Sequence, residues 1–72
     1  MISGMADEAI TQIEKAISLY GKDSILYDHL GDAYYKKGLI EKAEDAWKRS
    51  LELKSDQPAV KEKLEKSQKA RK

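Results

Sequence analysis

The stretches Tyr27-Asp28-His29-Leu30-Gly31-Asp32-Ala33-Tyr34 and Ala43-Glu44-Asp45-Ala46-Trp47 decide the fold. In the first, Tyr27, Leu30, Gly31 and Tyr34 recur at spacings of three and four, so they share one face of a helix. In the second, Ala43 and Trp47 belong to a longer stripe of Ile40, Ala43, Trp47 and Leu51, with Ala46 and Ser50 beside it. Each stripe mixes large aromatic side chains with very small ones. That mixture predicts two helices pressed together, their backbones approaching at Gly31 and Ala43. Tyr27, Tyr34 and Trp47 then fill the wedge alongside. Gly38 lies between the stripes, where a helix ends well on a left-handed residue.

The same reading extends to both sides. Ala6, Ala9, Ile10, Ile13, Ala16, Ile17 and Tyr20 keep helical period and form a face expected to cover the second helix. Val60 and Leu64 begin a fourth face that decays into Ser67, Gln68 and Arg71. Nothing alternates with period two for long enough to make a strand. The pattern predicts four helices, at about 5–20, 24–37, 40–54 and 58–70. Gly21 ends the first as Gly38 ends the second. Asp23 or Ser24 is placed to cap the second helix, and Ser55 or Asp56 the fourth. Pro58 suits a first helical turn, where its missing N–H costs nothing. Met1 to Met5 reads as a detachable start.

A shift of about 34 residues lays the chain on itself. Ala9 falls on Ala43, Ile13 on Trp47, Ile17 on Leu51, Leu19 on Leu53 and Leu30 on Leu64; Asp7 falls on Glu41 and Lys15 on Arg49. One shift aligns the first helix with the third and the second with the fourth. A chance match of two amphipathic helices does not do that.

Tyr27-x-x-Leu30-Gly31-x-x-Tyr34 followed by Ala43-x-x-x-Trp47 resembles the tetratricopeptide repeat, whose period is about 34 residues. The resemblance implies one full repeat over 24–57, the second helix of a partial repeat over 5–23, and a terminal capping helix over 58–72, all within a single domain spanning 1–72. It implies an all-α fold of antiparallel helix-turn-helix hairpins stacked as a right-handed superhelix. There are departures: Tyr27 stands for the usual Trp, Trp47 for Phe or Tyr, Ser55 for a common Pro, and Glu65 for a small residue. Glu65 marks the end of an array whose last helix is wetted on its outer face. In this family the first helix of each hairpin lines a concave groove that binds proteins or peptides. The matching face here carries Ile25, Asp28, Asp32, Tyr35 and Lys36 on the second helix. On the fourth it carries Ala59, Glu62, Lys66, Lys69 and Ala70. The family's clamp for C-terminal carboxylates uses Lys, Arg and Asn on that face. Asp28 and Asp32 stand there instead, which argues against an acidic tail as ligand.

Composition narrows the rest. With 72 residues the chain holds one domain, and a chain this short buries only about 60% of its unfolded surface. There is no cysteine, so neither a disulfide nor a thiolate-bound metal staples it. The 14 basic and 13 acidic residues nearly balance, unlike a dedicated nucleic-acid binder. No apolar run reaches the ~20 residues of a membrane span, and no leader pattern is visible. Nothing fixes a compartment; the cytoplasm is the default, and an exported parent protein stays open.

Candidate chemistry is thin. Asp28 and Asp32 share a helix face and read as a solvated pair rather than an acid–base dyad. His29 points about 100° away and has no second His or Cys to complete a metal site. No Ser lies in a Gly-x-Ser-x-Gly context, and no Gly-rich phosphate loop exists. The sequence therefore predicts no catalytic, cofactor or metal residue. The last helix carries Lys61, Lys63, Lys66, Lys69, Arg71 and Lys72 against Glu62 and Glu65. It lacks aromatics for base stacking, and Glu62–Lys66 and Glu65–Lys69 support an exposed helix. Two rival readings stand beside peptide binding. One is a purely structural or oligomerising fragment, most simply a homodimer through residues 6–20, whose outer flank has no partner helix. The other is a basic tail that contacts nucleic acid or an anionic surface.

Overall fold

The computed structural model describes residues 2–70, with side chains from residue 5 onward. The chain forms four helices: α1 (Ile2–Tyr20), α2 (Ser24–Lys37), α3 (Ile40–Leu53) and α4 (Pro58–Ala70). Among the described residues there is no strand. Each helix packs on the next as successive antiparallel hairpins, giving a slab of 29 × 28 × 15 Å. None of these helices is long and apolar enough to cross a membrane.

Helix ends follow local chemistry. The Asp23 carboxylate accepts the Ile25 N–H at 2.8 Å and so satisfies a donor that the first turn of α2 leaves free. Gly38 takes φ 88° and donates to the Tyr35 carbonyl at 3.0 Å, while Leu39 donates to the Tyr34 carbonyl at 2.9 Å. These two bonds satisfy carbonyls that the end of α2 would otherwise orphan. The fourth helix differs from expectation. Its flanking position falls to Gln57, whose carbonyl accepts the Lys61 N–H, and not to Ser55 or Asp56. The Gln57 amide turns back onto α3, donating to the Lys54 carbonyl at 2.6 Å and the Ser50 carbonyl at 3.0 Å. Ser50 is fully buried and donates to the Ser24 carbonyl at 2.7 Å, so one small network ties the ends of α2, α3 and α4 together.

The core centres on Trp47, which is 3% exposed, with Ala43 and Val60 buried against it and Tyr34, Leu51 and Leu64 around them. Burying an indole removes about 150–250 Å² from water, an upper bound of about 4–6 kcal/mol. Gly31 is small for a more specific reason than a backbone crossing. A Cβ built there would lie 2.3 Å from Trp47 Nε1 and 2.4 Å from its Cδ1. Gly31 is the seat of the indole ring.

Two other expectations need correction. Helical backbone begins at Ile2, three residues before the expected start of the first helix, and Met1 lies outside the described residues. Tyr20 does not cover α2. It is 81% exposed, at the last turn of α1. Ile10, Ile13 and Ile17 are half-buried, as a face with one neighbouring helix should be.

Candidate functional site

The face of α2 turned away from Leu30 is a ridge between two troughs. Asp32 and Lys36 line both. One trough, of about 360 Å³, lies between α2 and α4 over the edge of Trp47. The other, of about 520 Å³, lies between α1 and α2.

In the first trough Lys63 is the organising charge. Its ammonium donates to Asp28 Oδ1 at 2.6 Å and to Asp32 Oδ1 and Oδ2 at 2.9 and 3.2 Å. It also stands 5.7 Å from the centre of the Trp47 ring, within reach of a cation–π attraction. Burial works to lower the Lys63 pKa, but the hydrogen bonds and negative charges of Asp28 and Asp32 outweigh it and hold the ammonium above its ordinary range. Asp28 and Asp32 are therefore not a solvated face. They are a paired clamp that fastens α4 across α2.

The Tyr35 ring stacks at a tilt on Trp47, with centroids 5.7 Å apart, and keeps nearly half of its surface in water. Lys36 and Lys66 flank it, and Ser67 forms the inner wall. The Ser67 hydroxyl donates to the buried Glu44 carboxylate at 2.6 Å, which pins the far half of α4 to α3.

Of the predicted groove residues, the structure brings Asp32, Tyr35, Lys36 and Lys66 into this trough, with Asp28 at its edge through Lys63. Ile25 and Lys69 are exposed, as are Ala59 and Ala70. Glu62 is exposed and pairs with Lys66 at 3.9 Å. Sequence reasoning missed Lys63, Trp47 and Ser67 as trough residues. A signal was present for two of them: Val60, Lys63, Leu64 and Ser67 follow at spacings of three and four, so Lys63 and Ser67 ride on the apolar stripe. Reading α4 as a wetted basic helix hid that.

On the opposite side of α2, Tyr34 donates to Glu14 of α1 at 2.8 Å, and Lys37 pairs with Asp7. Burial first, then the Glu14 hydrogen bond and charge, push the Tyr34 phenol up to about 12. These contacts hold α1 to α2. Among the described residues no three His, Cys, Asp or Glu side chains converge where a metal ion would sit.

Comparison with family models, with curated proteins and with solved structures finds no match to this chain.

Proposed function

We propose that this chain is a protein- or peptide-binding scaffold module of the tetratricopeptide-repeat type, its hairpins stacked as a right-handed superhelix and its α2–α4 trough serving as the contact surface. The reading assigns it binding and no reaction. The observation that supports it is the trough itself. Four of the ten residues the resemblance nominates, Asp32, Tyr35, Lys36 and Lys66, share one concavity with the Trp47 ring at its floor. Tyr35 offers a half-exposed, amphipathic ring already oriented by stacking, the kind of side chain that anchors interfaces at low entropic cost. Lys36 and Lys66 offer donors at the rim. Asp28 and Asp32 are engaged by Lys63, so a ligand meets the aromatic floor and the ammonium rim rather than free carboxylates.

Selection of linear peptides against the immobilised chain tests this. Selected peptides should bind Tyr35→Ala and the Lys36→Glu/Lys66→Glu double variant about tenfold more weakly, the loss expected when an anchor contact is removed. Lys48→Glu, on the exposed part of α3, should leave binding alone. Equal binding to all three variants would sink the reading.

A further inference from the structure

The α1–α2 trough is a second copy of the α2–α4 trough that no helix among the described residues covers. Ile13, His29, Asp32 and Ala33 line the former. One repeat length of about 34 residues further on, Trp47, Lys63, Lys66 and Ser67 line the latter. Every residue that α3 and α4 contribute to the second trough thus has its counterpart in the first. What differs is cover. Helix α2 lies across α3, so Ala43 is 0% exposed and Trp47 3%. No helix among the described residues covers α1 in the same way. Ala9 and Ile13, the counterparts of Ala43 and Trp47, are only half-buried. Met5, the counterpart of half-buried Leu39, is 75% exposed.

The covered copy says what would fit the open one. Across α3, the visiting helix is α2. It presents Gly31 to Trp47 and the carboxylates of Asp28 and Asp32 to Lys63. In the open trough Ile13 replaces the indole, and the space is larger, about 520 against 360 Å³. A visitor there has room for an aliphatic side chain where α2 carries glycine. His29 stands in place of Lys63, and Lys36, two turns further along α2, has no ion-pair partner among the described residues. The trough's single carboxylate, Asp32, is held through both oxygens by Lys63. The polar rim therefore asks for negative charge.

We propose that the α1–α2 trough docks one amphipathic helix of a partner protein, running antiparallel to α1, that sets an aliphatic side chain against Ile13 and carboxylates toward His29 and Lys36. A second copy of this chain is the poorer occupant. The open seam of α1, running through Ala9, Ile13, Ala16 and Tyr20, holds no carboxylate to meet that rim. The proposal concerns a different trough from the peptide-binding reading and does not depend on it.

A helical, side-chain-stapled peptide of residues 23–38 carrying Gly31→Leu is the probe, since it copies the helix that covers the equivalent surface. Titrated into the isotope-labelled chain, it should give saturable NMR shifts at Met5, Ala9, Ile13 and His29 while Trp47 fluorescence stays constant. Met5→Glu and His29→Glu, at exposed side chains that line only this trough, should each weaken binding about tenfold with an unchanged melting temperature. Lys66→Glu, which lines only the other trough, should not. Asp28→Asn with Asp32→Asn in the probe should also weaken it, more so at low salt. No saturable shift up to about 1 mM, the weak limit of specific recognition, would overturn the proposal. Shifts centred on Tyr35, Lys63 and Lys66 with a change in Trp47 emission would overturn it in favour of the other trough. Shifts at Met5, Ala9 and Ile13 that depend on protein concentration without the probe would assign the surface to self-association instead.

Discussion

Gly31→Ala should destabilise the chain, although the substitution improves helix propensity. In an exposed helix interior, replacing Gly with Ala gains about 1 kcal/mol. Here the added carbon would sit 2.3 Å from Trp47 Nε1, 2.4 Å from Cδ1 and 2.9 Å from Cε2. Comfortable separation of such atoms is about 3.5–4.0 Å, so the ring must retreat by roughly 1 Å or more. The ring has little freedom to do so. It is 3% exposed and wedged among Ala43, Val60, Tyr34, Leu51 and Leu64. Overpacking of this kind costs about 1–3 kcal/mol, and the severity of the overlap points to the upper end. After the propensity gain the net cost is about 1–2 kcal/mol. For a domain of this size that lowers the melting temperature by roughly 4–16 °C. Thermal melts followed by far-UV circular dichroism measure it. A double-mutant cycle identifies the cause. In a Trp47→Leu background, which empties the seat, Gly31→Ala should turn neutral or stabilising, a coupling of about 1–3 kcal/mol. If Gly31→Ala melts higher than the parent, or if the cycle shows no coupling, then the glycine does not seat the indole and the α2–α3 packing described above is wrong.

Trp47→Ala should cost about 3–5 kcal/mol, the range for deleting a large buried aromatic, and melting near the parent temperature would contradict its central place in the core. Gly38→Ala should lose about 1–2 kcal/mol because φ 88° crowds any Cβ against the backbone, even though space around it is open; an unchanged chemical-denaturation midpoint would count against this. Lys63→Met should cost no more than about 1 kcal/mol, since its pairs with Asp28 and Asp32 are partly wetted, and a cycle with Asp28→Asn should recover most of the coupling. Alkaline titration has a defined sign. Tyr34 is raised from 10.0 to about 12 in the folded chain, so its contribution is complete below pH 10 and disappears as pH climbs to about 12. Lys63, also raised above its ordinary value of 10.5, adds stability lost over the alkaline range above that value. Tyr34→Phe should flatten the fall in stability between pH 10 and 12, and an equally steep fall in that variant would refute the assignment.

Much of this molecule is written locally. The number and bounds of the helices follow from apolar residues at spacings of three and four, and from Gly21, Asp23, Gly38 and Pro58 at the breaks. All of these act within one or two turns of chain. The hairpin stacking was also legible, because Leu30, Gly31, Tyr34, Ala43 and Trp47 are meaningful only as opposing faces. Sequence could not settle which partner each side chain meets. On a helical wheel Asp28 and Asp32 look solvated. Only the placement of α4 across α2 brings Lys63 within 2.6 Å and turns them into a clamp. Gly31 signals closeness, but only the tertiary structure shows that an indole, not a backbone, is what comes close. Tyr20 fits the apolar stripe of α1, yet stays in water. Gln57 carries no helix-cap signature, and its contacts to Ser50 and Lys54 exist only because the chain turns there. Periodicity fixes the direction of a side chain around its own axis to within a fraction of a turn. The angle and offset between two axes decide which groups touch, and those come from the packing of all four helices at once.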